Sequence, residues 1–153
     1  MAFVTDNAKP LVRGVIVYAL SEAGEILFLR RSGSTYEGSW WPVAGTPKPG
    51  EPPLGTAARE LEEETGIKAR HFHELGIPIA HMDGSSVLAA YVIYVPADTR
   101  ITLNDEHDDW RWYSPEQAIA SVPEDSRQYI QHLIDNFVVS RPDENSTCTV
   151  PDP

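Results

Sequence analysis

Residues 12–20 are apolar on both alternating faces and rich in β-branched side chains, which predicts a central strand buried on two sides. Ser21-Glu22-Ala23-Gly24 supplies a turn, and residues 25–30 return as the second strand of a hairpin. A polar loop (31–38), a short apolar segment holding Trp40 and Trp41 (39–45) and a Pro/Gly-rich loop (46–53) follow. Residues 54–65 carry the strongest helical signal. Pro52 and Pro53 stand at the entrance, where a missing N–H costs little, and Gly66 stands at the stop. Leu54, Ala57, Ala58 and Leu61 fall within one arc of this helix, a stripe suited to packing on a sheet. Residues 67–79 and 87–95 read as further strands with Asp83-Gly84-Ser85 turning between them, and 110–113 as a short one. Ser114, Pro115 and Gln117 suit the first positions of a small helix. Residues 124–137 place Tyr129, Ile130, Leu133, Ile134 and Phe137 on one face of a closing helix.

Strands and helices mixed in this order predict an α/β fold, an α/β/α sandwich around a mixed β-sheet. We expect one domain over residues 11–139, between an N-terminal segment (1–10) and a flexible C-terminal tail (140–153) that is polar, aperiodic and punctuated by Pro142, Pro151 and Pro153.

A chain of 153 residues can bury a core without disulfides or structural metal, and Cys148, the only cysteine, forms no internal disulfide and suits a reducing compartment. The net charge of −11, with no run of basic residues, argues against a nucleic-acid polymer as partner. It is compatible with a small anionic substrate when a divalent metal stands between protein and phosphate. No stretch approaches the ~20 apolar residues that span a membrane. The first ten residues include Asp6 and no apolar core of a signal peptide, so a cytoplasmic location is expected.

The chemistry concentrates on the predicted helix. Glu60, Glu63 and Glu64, at i, i+3 and i+4, gather on an arc beside the apolar stripe, whereas Glu62 points elsewhere. Carboxylates crowded this way repel one another, and two of them sit where the helix dipole disfavours anions. A hard cation such as Mg²⁺ or Mn²⁺ removes the conflict, because carboxylate oxygens are the ligands these ions prefer.

Gly45, five residues, Glu51, seven residues, then Arg59-Glu60-Leu61-Glu62-Glu63-Glu64-Thr65-Gly66-Ile67 resembles the Nudix signature, matching all nine specified positions across 23 residues. The resemblance implies a Nudix-type sandwich and a Mg²⁺-dependent pyrophosphohydrolase, with Mn²⁺ able to substitute. It makes Glu60, Glu63 and Glu64 metal ligands, with Gly45 lending its backbone carbonyl. Arg59 would orient the carboxylates by pairing with Glu51 or Glu63, and Gly66 would serve as a left-handed helix stop. The segment Trp40-Trp41-Pro42-Val43-Ala44-Gly45-Thr46, with Glu106-His107 ahead of Trp112, is similar to the bacterial dihydroneopterin triphosphate pyrophosphatases. That similarity adds Glu106 as a further metal ligand or general base, a role for which Glu60 and Glu63 also compete. The implied reaction cuts a nucleoside or pterin triphosphate to monophosphate and pyrophosphate. A dinucleoside polyphosphate, ADP-ribose or a sugar nucleotide is an alternative substrate, and a silent nucleotide sensor is an alternative function that the intact box argues against. The expected partner is a small phosphoanhydride, with room left for a homodimer. Trp40, Trp41, Trp110 and Tyr113 are candidates for stacking on a ring, and Arg30 and Arg31 for meeting a phosphate. His71 and His73 alternate on a predicted strand but lack further soft ligands nearby, which favours a surface role over a metal site.

Overall fold

The computed structural model describes residues 11–33, 35–81 and 83–151, so the expected N-terminal segment 1–10 lies outside it. β1 (Leu11–Ser21) and β2 (Ile26–Arg31) form the hairpin, followed by β3 (Trp40–Trp41), β4 (Val43–Gly45) and α1 (Pro53–Thr65). Next come β5 (His71–Glu74), β6 (Ile79–Ala80), β7 (Ser86–Val95), β8 (His107–Tyr113) and α2 (Pro115–Ser121). The chain closes with α3 (Arg127–Leu133) and the short strand β9 (Cys148–Thr149).

β1 pairs in parallel with β7 from Leu11↔Ser86 to Ser21↔Val95, and the other pairings among the described residues are antiparallel, so the sheet is mixed. Alternation along β1 explains why its sequence is apolar on both faces. Val15, Val17 and Ala19 pack with Leu27, Leu29, Ala57 and Leu61 on the α1 side. Ile16, Tyr18 and Leu20 pack with Phe28, Val92, Leu133 and Phe137 on the side of α2 and α3. Helices thus cover both faces. α2 begins as its sequence predicts: the Ser114 hydroxyl accepts from the Gln117 N–H, and the Gln117 side chain accepts from the Ser114 N–H.

Several elements differ from the sequence reading. Residues 67–79 form two short strands rather than one long one. Gly76, at φ 97°, turns the chain between them, and Pro78 offers no N–H to a ladder. β8 starts at His107, three residues before the predicted strand, because it follows β2 down to Arg31. The closing helix is three pieces: a 3₁₀ turn at Glu124–Ser126, α3, and a π turn at Ile134–Val138. Its predicted face still buries Ile130, Leu133, Ile134 and Phe137.

The tail is where composition misleads most. Residues 148–149 add a strand to β5, with Cys148 opposite Phe72 and Thr149 opposite His71. The Val150 N–H donates to the Arg70 carbonyl, and the Arg70 guanidinium donates to the Val150 carbonyl. The Arg141 guanidinium lies 3.8 Å over the Tyr94 ring, and Ser146 bonds the buried His73. A polar, proline-punctuated segment can dock when a sheet edge offers it unpaired backbone groups. The same contacts account for His71 and His73, which bond Thr149 and Ser146 and do not share a ligand.

Candidate active site

α1 starts behind Pro52 with no side-chain cap and stops at Gly66, whose φ of 77° is the left-handed conformation that glycine adopts without strain. Its apolar stripe lies on the sheet, and the adjacent arc turns Arg59, Glu60, Glu63 and Glu64 toward β4 and the loop before β8.

Arg59 organises this arc. Its Nε and Nη2 grip both oxygens of Glu51 at 2.9 and 2.8 Å, and Nη2 also donates to the Thr46 carbonyl at 3.1 Å. Nη1 donates to Glu60 at 2.8 Å and to Glu63 at 3.2 Å. The choice between Glu51 and Glu63 is therefore settled by a fork that reaches both, with Glu51 taking the bidentate contact. Glu51 also accepts from the Thr56 hydroxyl at 2.7 Å and the Lys48 N–H at 3.1 Å. Together these contacts, the Arg59 fork foremost, hold its carboxyl pKa down to about 2. Thr56, fully buried, is a member of the clamp that the sequence reading did not single out.

A group whose folded pKa lies below its ordinary value stabilises the fold above that ordinary value and stops doing so as pH falls through the folded pKa. The stability gap between the wild type and Glu51→Gln should thus be full above about pH 4.5 and close as pH drops toward about 2. Urea unfolding of both proteins across that range measures it, and a gap independent of pH contradicts the clamp.

Glu60 and Glu64 meet at the buried end of the arc. The Glu64 residue is 3% exposed, and its carboxyl accepts from the Ala44 N–H while sharing a hydrogen bond with the Glu60 carboxyl. Burial, and then the neighbouring Glu60, raise the Glu64 pKa well above the carboxylate range. Glu63, with its side chain 47% exposed, stays at the rim beside Arg59. Gly45 is explained by space: a Cβ there would land on the Glu60 carboxyl, and one on Gly14 would lie 2.9 Å from the Gly45 carbonyl oxygen. These two glycines let strands β1 and β4 come up close beneath the carboxylates.

The loop carrying Glu106 is tied to this end of α1. The Thr102 N–H donates to the Thr65 carbonyl at 2.8 Å, and the Ser32 N–H to the Glu106 carbonyl at 2.9 Å. Glu106 itself is exposed, and its charge reaches Glu64. Of its acidic neighbours, Asp108 is bound by Arg30 at 2.6 Å, and Asp109 caps the Trp110 N–H. His107 is buried, with Nε2 3.8 Å from Glu64 and Nδ1 3.2 Å from Asn104. Burial, and then Arg31, lower its pKa. Asn104 and His107 are further residues that the sequence reading left without a role.

Among the described residues, no three His, Cys, Asp or Glu side chains converge closely enough to form a ready metal cage. The donor chemistry nevertheless fits a hard cation. Arg59, donating to both Glu60 and Glu63, supplies part of the positive charge that a divalent ion would bring. Mg²⁺ needs only a few carboxylates, because it keeps waters and takes substrate oxygens.

The stacking candidates divide by face. Trp40 lies beneath the Arg111 guanidinium at 4.6 Å and beside Tyr113 at 6.1 Å, packed against the core on the side of α2 and α3. Trp41 and Trp110 are 39% and 37% exposed and stand on either side of Leu29 in one cross-strand row. Arg30 is engaged by Asp108, and Arg31 donates to the Thr35 carbonyl.

The chain is similar to several known proteins. The chain is 30% identical over 129 residues to an octanoyltransferase of Myxococcus xanthus, an alignment covering 76% of this chain and 35% of that protein. It is 33% identical over 101 residues to the asymmetrical bis(5'-nucleosyl)-tetraphosphatase of Rattus norvegicus, covering 61% of this chain and 67% of that one. Its fold is similar to that of the E. coli dihydroneopterin triphosphate pyrophosphohydrolase, with a TM-score of 0.66 and 18% identity over 84% of this chain and 98% of that one. The chain spans about a third of the length of the first of these relatives, so that likeness speaks for a shared domain alone. The NUDIX domain model matches residues 10–133, from the first strand through α3, and takes in the whole box: the chain belongs to the Nudix family.

Proposed function

We propose that this protein is a Mg²⁺-dependent hydrolase that cuts a phosphoanhydride bond in a nucleoside- or pterin-triphosphate-like small molecule, releasing a monophosphate and pyrophosphate in the cytoplasm. The observation that carries the reading is the buried Glu64 beside the half-buried Glu60, next to the Arg59–Glu51 clamp. A fold gains nothing from crowding acids at low exposure unless a cation comes to sit among them. Glu60, Glu63 and Glu64, with the Gly45 carbonyl, are the groups that would hold the ion. When bound, Mg²⁺ neutralises phosphate oxygens and lowers the pKa of a coordinated water.

The chain's own groups do the rest. Arg59 fixes Glu60 and Glu63 in place, so that little reorganisation is needed when substrate arrives. Glu106, on a separate element, takes the proton of the attacking water. The water oxygen forms the new bond to phosphorus, the bridging P–O bond breaks, and pyrophosphate leaves. The likeness to the rat tetraphosphatase favours a second substrate class, a dinucleoside polyphosphate, cut at the same bond type.

Glu106→Gln should lower kcat by about 10²-fold or more with little change in KM, whereas Asp105→Asn should leave both nearly unchanged. Steady-state kinetics at saturating Mg²⁺ compares them. Equal behaviour of the two variants would make Glu106 a surface acid and move the base to Glu60 or Glu63.

A further inference from the structure

Past the C-terminal end of α1 lies a cavity of about 350 Å³, a size typical of small-molecule sites. The ladder between β5 and β7 runs only through His73↔Val92 and Glu74↔Tyr91. Beyond it the strands part, and the cavity opens between His71 and Tyr94. Ile67, Ile93 and Val95 line it with apolar surface continuous with the α1-side core. Lys68 and Arg100 line it too; both are exposed, and neither has a hydrogen-bond or ion-pair partner among the described residues. In a chain of net charge −11, no described Asp or Glu stands in its walls. The negative end of α1 does little to repel an anion here, because its carbonyls are occupied. The Thr65 hydroxyl donates to Leu61, the Gly66 N–H to Glu62 and the Thr102 N–H to Thr65.

Two unpaired cations beside apolar surface suit an anion that carries an apolar or ring body. A phosphomonoester fits both halves, since its phosphate bears about −1.5 to −2 charge at neutral pH and accepts readily from Lys and Arg. We propose that this cleft is a second binding site, for a phosphomonoester of mononucleotide size. Its phosphate meets Lys68 and Arg100, and its body lies on Ile67, Ile93 and Val95. The site is separate from the carboxylates of α1. Gly45 and Glu60 meet at β4, which pairs with one edge of β1, whereas the cleft lies past β7 on the other edge. Neither Gly45 nor any of Glu60, Glu63, Glu64 and Glu106 lines it. Binding here needs no metal, because the protein supplies the positive charge itself.

Titration of the full chain with AMP in excess EDTA, followed by ¹H–¹⁵N NMR, tests the proposal without turnover. Saturable shifts should centre on the amides of Lys68, Ala69 and Arg100. The double variant Lys68→Ala/Arg100→Ala, which shortens two exposed side chains and leaves the core untouched, should bind AMP about fivefold or more weaker. Adenosine, which lacks the phosphate, and inorganic phosphate, which lacks the body, should each bind about fivefold or more weaker than AMP. A smaller difference in any of these three comparisons overturns the proposal. So does a titration that does not saturate, or one whose shifts centre on Gly45 and Glu106. Neither metal nor hydrolysis enters this measurement, so its failure leaves the catalytic reading standing, and a failure of that reading leaves this site standing.

Discussion

Replacing Glu64 with Gln should reduce kcat by about 10³-fold or more while leaving the fold intact or more stable. Glu64 is 3% exposed and is held in its protonated form by burial and by Glu60. A glutamine has nearly the same shape, can accept from the Ala44 N–H through its carbonyl, and can donate to Glu60 through its amide. It loses only the ability to ionise when a cation arrives. A gain of about 1 kcal/mol would raise Tm by roughly 2–4 °C in a domain of this size. Calorimetry and steady-state kinetics on the same preparation separate the two effects. Wild-type turnover, or a Tm lowered by many degrees, would show that Glu64 is a structural acid.

The second large effect is on stability. Arg59→Ala strips the bidentate partner from Glu51 and the contact from Glu60, whose side chains are 18% and 12% exposed. Losing one partner of a fully buried pair costs about 3–5 kcal/mol, and these partly solvated carboxylates should cost less, about 2–3 kcal/mol. Arg59→Lys should recover little, because an ammonium cannot fork across Glu51 while reaching Glu60 and Glu63. Urea unfolding gives the difference directly. A loss under about 0.5 kcal/mol in Arg59→Ala would reduce the clamp to an ordinary surface pair.

What could be read in the sequence is what local periodicity and spacing encode. The hairpin, the two-sided apolar strand, α1 with its proline entrance and Gly66 stop, and the Ser114 capping box all show in stretches of fewer than twenty residues. The box placed Arg59 and its glutamates on one arc. It could not say that Thr56 would reach Glu51, although a hydroxyl on the first turn of a helix five residues after an acid is a signal that could have found it.

The rest depends on contacts between distant parts of the chain. Cys148 pairs with Phe72 only once β5 offers an open edge, so composition alone made the tail look loose. Gly14 sits inside the predicted strand, and its use becomes visible only where β4 pairs alongside β1 and the Gly45 carbonyl needs the room.

If Glu60, Glu63 and Glu64 serve a divalent metal in phosphoanhydride hydrolysis, turnover must follow the metal. The most direct measurement is phosphate release from a panel of nucleoside and pterin triphosphates, dinucleoside polyphosphates and ADP-ribose, with and without added pyrophosphatase, in Mg²⁺ and in excess EDTA. Release from a triphosphate substrate should depend on added pyrophosphatase, disappear in EDTA and return with Mg²⁺ or Mn²⁺. Full turnover in EDTA, or no hydrolysis of any member of the panel with either metal present, would contradict it.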